Sequence, residues 1–130
     1  MGDLRVTSSG LQIFSKLESR DATAVSGDVS YTGYGFRPTR IIIIGGSTVG
    51  SVGATDITNG GIIFEGRSGG ATVIGAGAGA GQIVFYYTTD AGVSQTAVIS
   101  TFDADGFTLT WTKNGAPGAL AIPFLVIAFS

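Results

Sequence analysis

The sequence predicts an all-β protein: an antiparallel β-sandwich, jelly-roll-like, of about eight to ten strands. Three observations lead there. In Phe107-Thr108-Leu109-Thr110-Trp111-Thr112 every odd position is large and apolar and every even one is threonine, a period of two that marks a strand with one buried face. Turn signals recur at hairpin spacing: Gly33-Tyr34-Gly35, Gly45-Gly46, Asn59-Gly60-Gly61, Ser68-Gly69-Gly70, Asp90-Ala91-Gly92, Asp105-Gly106 and Asn114-Gly115. Asn-Gly and Asp-Gly supply the positive φ angles that tight hairpins need. Apolar spacing of the helical kind is weak throughout. At 130 residues the chain makes one domain, 1–130, with residues 1–28 read as an N-terminal arm or edge hairpin.

Taken in order, Leu4-Arg5-Val6-Thr7 and Leu11-Gln12-Ile13 alternate like two short strands. Lys16 to Ala24, which carries charges of both signs, reads as a connector. Ile41 to Ile44, Ile62 to Phe64, Ile83 to Tyr87 and the ending Ala119 to Phe129 are apolar without a break, as in strands buried on both faces. In the ending, Leu120, Ile122, Phe124, Val126 and Ala128 share one face and Ala121, Leu125, Ile127 and Phe129 the other. One face lines a core, and the second needs a cover, for which a neighbouring subunit is the simplest. Pro123 cannot donate a ladder hydrogen bond and points to an edge strand or a bulge. The tract Gly75 to Gly81 is too small in side chain to fill a core and reads as a mobile loop or a place of close backbone contact.

Composition removes several classes of function. Charged residues make up 12% of the chain, against roughly 25% in an ordinary soluble domain, and 44% are hydrophobic, so disorder is ruled out and an obligate oligomer is expected. The 22 glycines show no collagen repeat. With no cysteine and no histidine there is no thiol nucleophile, disulfide, Cys/His zinc site or Ser-His-Asp triad. A net charge of -2 without a basic run argues against nucleic acid. The apolar ending spans about 11 residues and contains Pro123, against the roughly 20 a spanning helix needs, so no membrane span is expected. Met1-Gly2-Asp3-Leu4-Arg5 lacks the features of a secretory signal, which predicts synthesis in a cytoplasm without export by that route.

Possible sites are few. Gly75, Gly77 and Ala80 fit the spacing of a dinucleotide fingerprint, but a strand-like segment follows where a helix should open. Asp103-Ala104-Asp105-Gly106 resembles the start of a calcium loop, yet its later ligands are missing, and a plain turn explains it. Carboxylate pairs such as Glu65 with Asp90, or Glu18 with Asp56, cannot be placed together from sequence. Tyr31, Tyr34, Phe36, Tyr86, Tyr87 and Trp111 could form an aromatic platform. Trp111 falls on the apolar face of its strand and belongs to the core, whereas the tyrosines beside Gly33 and Gly35 are the better surface candidates. Arg37-Pro38-Thr39-Arg40 reads as a polar guard before the isoleucine strand, with an acidic partner surface as the other reading. No catalytic, cofactor-binding or metal-binding residue is nominated, and no enzyme is expected.

Two segments carry a resemblance. Gly35-Phe36-Arg37-Pro38 before an apolar strand, and Asp105 to Thr112 before a short loop and a final apolar strand, resemble small β-rich structural proteins of tailed bacteriophages, over roughly Val29 to Phe129. The resemblance implies a non-enzymatic virion protein on the capsid surface. Such a decoration or cement protein would be a homo-oligomer, with a trimer the expected form, bound to the major capsid protein where capsomers meet. The other reading is a tail or fibre domain that binds a host receptor or glycan through Tyr31, Tyr34 or the Gly75 to Gly81 loop.

Overall fold

A computed structural model describes residues 4–8, 10–45, 51–56, 60–65, 75–77, 82–87 and 93–130, with side chains described over 4–5, 10–45 and 93–130. The described residues form eleven strands and no helix. They are β1 (Leu4–Ser8), β2 (Leu11–Asp21), β3 (Gly27–Tyr31), β4 (Arg40–Gly45), β5 (Ser51–Asp56), β6 (Gly60–Glu65), β7 (Gly75–Gly77), β8 (Gln82–Tyr87), β9 (Ser94–Asp103), β10 (Gly106–Asn114) and β11 (Ala121–Phe129). All pairings are antiparallel. A seven-stranded sheet runs β1-β2-β11-β4-β5-β6-β7, and a four-stranded sheet runs β3-β10-β9-β8. This is the two-sheet all-β architecture that the alternation predicted, with more strands than the eight to ten expected.

The core lies between the sheets. From the larger sheet come Phe14, Ile41, Ile43, Phe124, Val126 and Ala128, and from the smaller Tyr31, Ala97, Phe102, Phe107, Leu109 and Trp111. Trp111 is fully buried and packs against Phe124 at 5.9 Å between ring centroids, while Tyr31 stacks on Phe107 at 5.4 Å. The odd positions of β10 are thus the apolar ones facing inward. On β9 the inward positions change phase, from Ala97 and Ile99 to Phe102, because a β-bulge between the Thr108 and Leu109 pairings takes up Ser100.

The final strand sits inside the larger sheet, between β2 and β4, and not at an edge. Pro123 is still accommodated for the reason that suggested an edge. Successive residues point their N–H and C=O groups to opposite neighbours. The carbonyl of Leu120 accepts from Ala22 on the β2 side, and that of Phe129 accepts from Thr39 on the β4 side. Pro123 therefore turns its missing donor toward β4, and the ladder with β4 ends one residue earlier, at Phe124–Gly45. Leu120 precedes the strand and is 42% exposed, so it does not join the buried row of Ile122, Phe124, Val126 and Ala128.

The largest departure is β2. Lys16 to Asp21 are not a connector but the second half of an eleven-residue strand, paired with β11 from Ile13–Phe129 to Asp21–Ala121. Of the Gly75 to Gly81 tract, Gly75–Gly77 forms β7 at the sheet edge, and residues 78–81 lie outside the described residues.

Candidate interaction surface

Strand β2 carries its polarity inside out. Phe14, Lys16, Glu18 and Arg20 share the face toward the smaller sheet, and Leu11, Ile13 and Leu17 share the face away from it. Ordinary alternation in a half-buried strand is the reverse.

The inward charges fit because each finds partners close by. Lys16 and Glu18, two residues apart on one face, form an ion pair at 3.0 Å. Lys16 Nζ also donates to the Thr32 carbonyl at 2.8 Å and lies 5.5 Å from the Tyr34 ring. The Tyr34 hydroxyl donates to Glu18 Oε1 at 3.1 Å. Arg20 is buried, with its guanidinium 5.0 Å from the Trp111 ring and Nη2 donating to the Val25 carbonyl at 2.6 Å. Burial pushes the Arg20 pKa down, and the nearby Tyr31 and Asp21 oppose that change. Arg5, reaching in from β1, lies 4.5 Å from the Phe14 ring and donates to the Tyr34 carbonyl at 2.8 Å.

Tyr31 and Tyr34 are therefore core residues and not a surface platform. Tyr34 is fully buried and Tyr31 is 7% exposed, and Phe36 is buried with them. The cause lies in the opposite hairpin. Asp105 accepts from the backbone N–H groups of Gly35 at 2.6 Å and Gly33 at 3.0 Å, which bends residues 33–35 inward and drops Tyr34 onto Phe14. Gly35 has φ +79°, a conformation that side chains resist, and the Arg5 guanidinium lies against it. At Gly106 a Cβ would collide with the Tyr31 carbonyl, which explains the glycine after Asp105.

The Asp103 to Gly106 segment is a hairpin turn between β9 and β10. Its carboxylates serve different structural partners: Asp105 the two glycine N–H groups, and Asp103 the hydroxyls of Thr101 and Thr108 at 2.7 Å each. These bonds hold both carboxyls below the ordinary range. Glu18 faces inward with Lys16 and Tyr34, while the side chains of Asp56, Glu65, Asp90, Tyr86 and Tyr87 lie outside those described. Arg37 and Arg40 are both exposed, on either side of buried Pro38. Among the described residues no group of three His, Cys, Asp or Glu side chains could hold a metal ion. Among them, too, no helix is long and apolar enough to cross a membrane.

What the inversion leaves outside is an apolar surface. Leu17 pairs with Leu125, and Leu125 with Ile44, so these three side chains form one row across the outer face. Ser15, Ile127 and Ile42 form the next row, joined by Leu4 of β1, and Ile13 and Phe129 the one after. Leu4 is 59% exposed, Leu17 57%, Ile44 44% and Leu11 43%, while Ile13, Ile42, Leu125, Ile127 and Phe129 are half-buried by their neighbours. The apolar runs Ile41 to Ile44 and Ile122 to Phe129 thus bury one face only. Among the described residues of β2, β11 and β4, charges on this outer face stand only at its ends, Arg40 beside Phe129 and Asp21 beside Ala121.

A second feature lies at one end of the sandwich. Residues 21–26 are held by Arg20 at Val25, by Gln95 Nε2 at the Ala22 and Ala24 carbonyls at 2.8 and 2.9 Å, and by Lys113, whose backbone N–H donates to Ser26 Oγ at 3.0 Å. Val25 projects from this held segment with 75% of its surface exposed.

The protein is thus an antiparallel two-sheet β protein with an apolar face turned outward. Compared with protein-family models, curated proteins and solved structures, the chain matches none.

Proposed function

We propose that this is a non-enzymatic structural protein of a virion, one that decorates a bacteriophage capsid and binds the major capsid protein at capsomer junctions. The observation that supports a contact-making role is the inverted β2, which places leucines outside and the Lys16–Glu18 ion pair inside and so leaves a broad apolar face for a protein contact. Polar side chains of the interior hold loops in place, as with Arg20 at the Val25 carbonyl and Gln95 Nε2 at the Ala22 and Ala24 carbonyls. A small homo-oligomer of this kind, present in many copies, stabilises a shell by binding its assembled state better than any other.

Immunogold electron microscopy with an antibody against this chain tests the proposal. Label over the whole head is the expected result, and unlabelled particles would overturn it. A tail or fibre domain that binds a host receptor or glycan is the second reading, favoured by the exposed Val25 on its firmly held loop at the end of the sandwich. Label confined to the tail would decide for it.

A further inference from the structure

We infer that the outer face formed by β1, β2, β11 and β4 is covered by the same face of a second copy of this chain, related by a two-fold axis that lies between the sheets and runs across the strands. The inference rests on the reading of this face as a protein contact and names its occupant.

Size is the first reason. Four strands, β1, β2, β11 and β4, spaced ~4.8 Å apart and five to eleven residues long at ~3.3 Å per residue, present roughly 500 Å² of flat footprint before side-chain relief is added. A standard interface takes about 800 Å² of accessible surface from each partner, and lattice contacts take mostly under about 400 Å². Self-pairing of this face exceeds most lattice contacts and, with side-chain relief, clears the about 1,000 Å² in total that a biological interface needs.

Shape and symmetry give the second reason. Sheets stack face to face about 10 Å apart, with side chains filling the space between them. A single apolar sheet face is complementary to itself under a two-fold axis, whereas a three-fold ring needs two different patches on each chain. The middle row of the face is Leu17, Leu125 and Ile44, and an axis along that row sets each of these residues opposite its own counterpart. The middle row is uncharged, so stacking there buries no unpaired ion among the described residues.

The test is sedimentation velocity of the full chain across the micromolar range. The expected species has twice the 13.1 kDa mass of one chain. Leu17→Glu places two carboxylates face to face at the axis and is expected to weaken association by about 100-fold or more, giving single chains with unchanged β-type circular dichroism. Val25→Glu, on a residue 75% exposed and off this face, leaves the dimer intact. A folded single-chain species for the unmodified protein, a species of three chains, or a dimer that Leu17→Glu does not weaken would each overturn the inference.

Should Leu17→Glu fail to fold, Leu17→Cys replaces it, since the chain has no cysteine of its own. A short bis-maleimide is expected to join Leu17→Cys chains into dimers and to leave Val25→Cys chains single, and the reverse pattern would overturn the inference. The capsid reading fails separately. A dimer in solution that never labels particles removes the virion assignment and leaves the pairing, and a labelled head with a single-chain protein does the opposite.

Discussion

Strands β2 and β11 lie side by side in perfect register for nine pairs, yet they solve the inner face in opposite ways. Inward from β11 point Ile122, Phe124, Val126 and Ala128, all essentially without exposure. Inward from β2 point Phe14, Lys16, Glu18 and Arg20, three of them charged. On the outside β11 is apolar throughout, whereas β2 sets Leu11, Ile13 and Leu17 beside Ser15, Ser19 and Asp21. An interior position is thus decided by whether its groups find partners, and not by hydrophobicity alone. The opposite charges of Lys16 and Glu18 neutralise each other on one face, and Arg20 sits on an aromatic ring with carbonyls at its tip.

Breaking the apolar side of this comparison has the largest effect. Trp111→Ala is expected to destabilise the fold by about 3–5 kcal/mol, since it empties a fully buried site and removes the ring beneath Arg20. Urea unfolding measures it. Arg20→Met, which keeps the bulk and removes the charge, takes away the part-buried, charge-assisted hydrogen bond to the Val25 carbonyl and is expected to cost about 1–3 kcal/mol. Faster amide exchange at residues 24–26 should accompany that loss.

A pH experiment sharpens the comparison from the aromatic side. Burial raises the Tyr31 pKa from 10.0 to about 12, with the Trp111 hydrogen bond opposing the rise. The neutral phenol is the form the fold prefers. Its contribution is complete below pH 10 and disappears as pH climbs toward 12, a loss of about 2–3 kcal/mol at most. Tyr31→Phe is expected to flatten that part of the stability profile, as followed by urea midpoints from pH 9 to about 12. Outside the sheet the effect is smallest: Leu17→Ala in the dilute chain is expected to change stability by no more than about 0.5 kcal/mol.

Much of this architecture was legible before the structure. The Phe107 to Thr112 alternation located β10 and placed Trp111 in the core, because a threonine face and an apolar face separate cleanly. The ending placed Ile122, Phe124, Val126 and Ala128 together for the same reason. Two features were hidden. A charge in sequence reads as a mark of surface, so Lys16 to Asp21 looked like a connector. The signal that could have found the strand is the spacing of two between Phe14, Lys16, Glu18 and Arg20, with opposite signs at neighbouring steps. Tyr34 was hidden because its flanking glycines announce a loop, while the carboxylate that turns the loop inward, Asp105, lies about seventy residues away in sequence. The outer apolar face was half visible: the second face of the ending called for a cover, but the contribution of Leu17 depended on recognising the second half of β2.

The inversion of β2 is best tested by thiol labelling of Leu17→Cys and Glu18→Cys, neighbours on one strand in a chain without natural cysteine. In dilute solution Leu17→Cys should react readily and Glu18→Cys should stay protected until the protein unfolds, and protection of Leu17→Cys should grow as concentration rises. If Glu18→Cys reacts faster than Leu17→Cys in the folded chain, the strand has the ordinary polarity, and the outward apolar face on which the account rests does not exist.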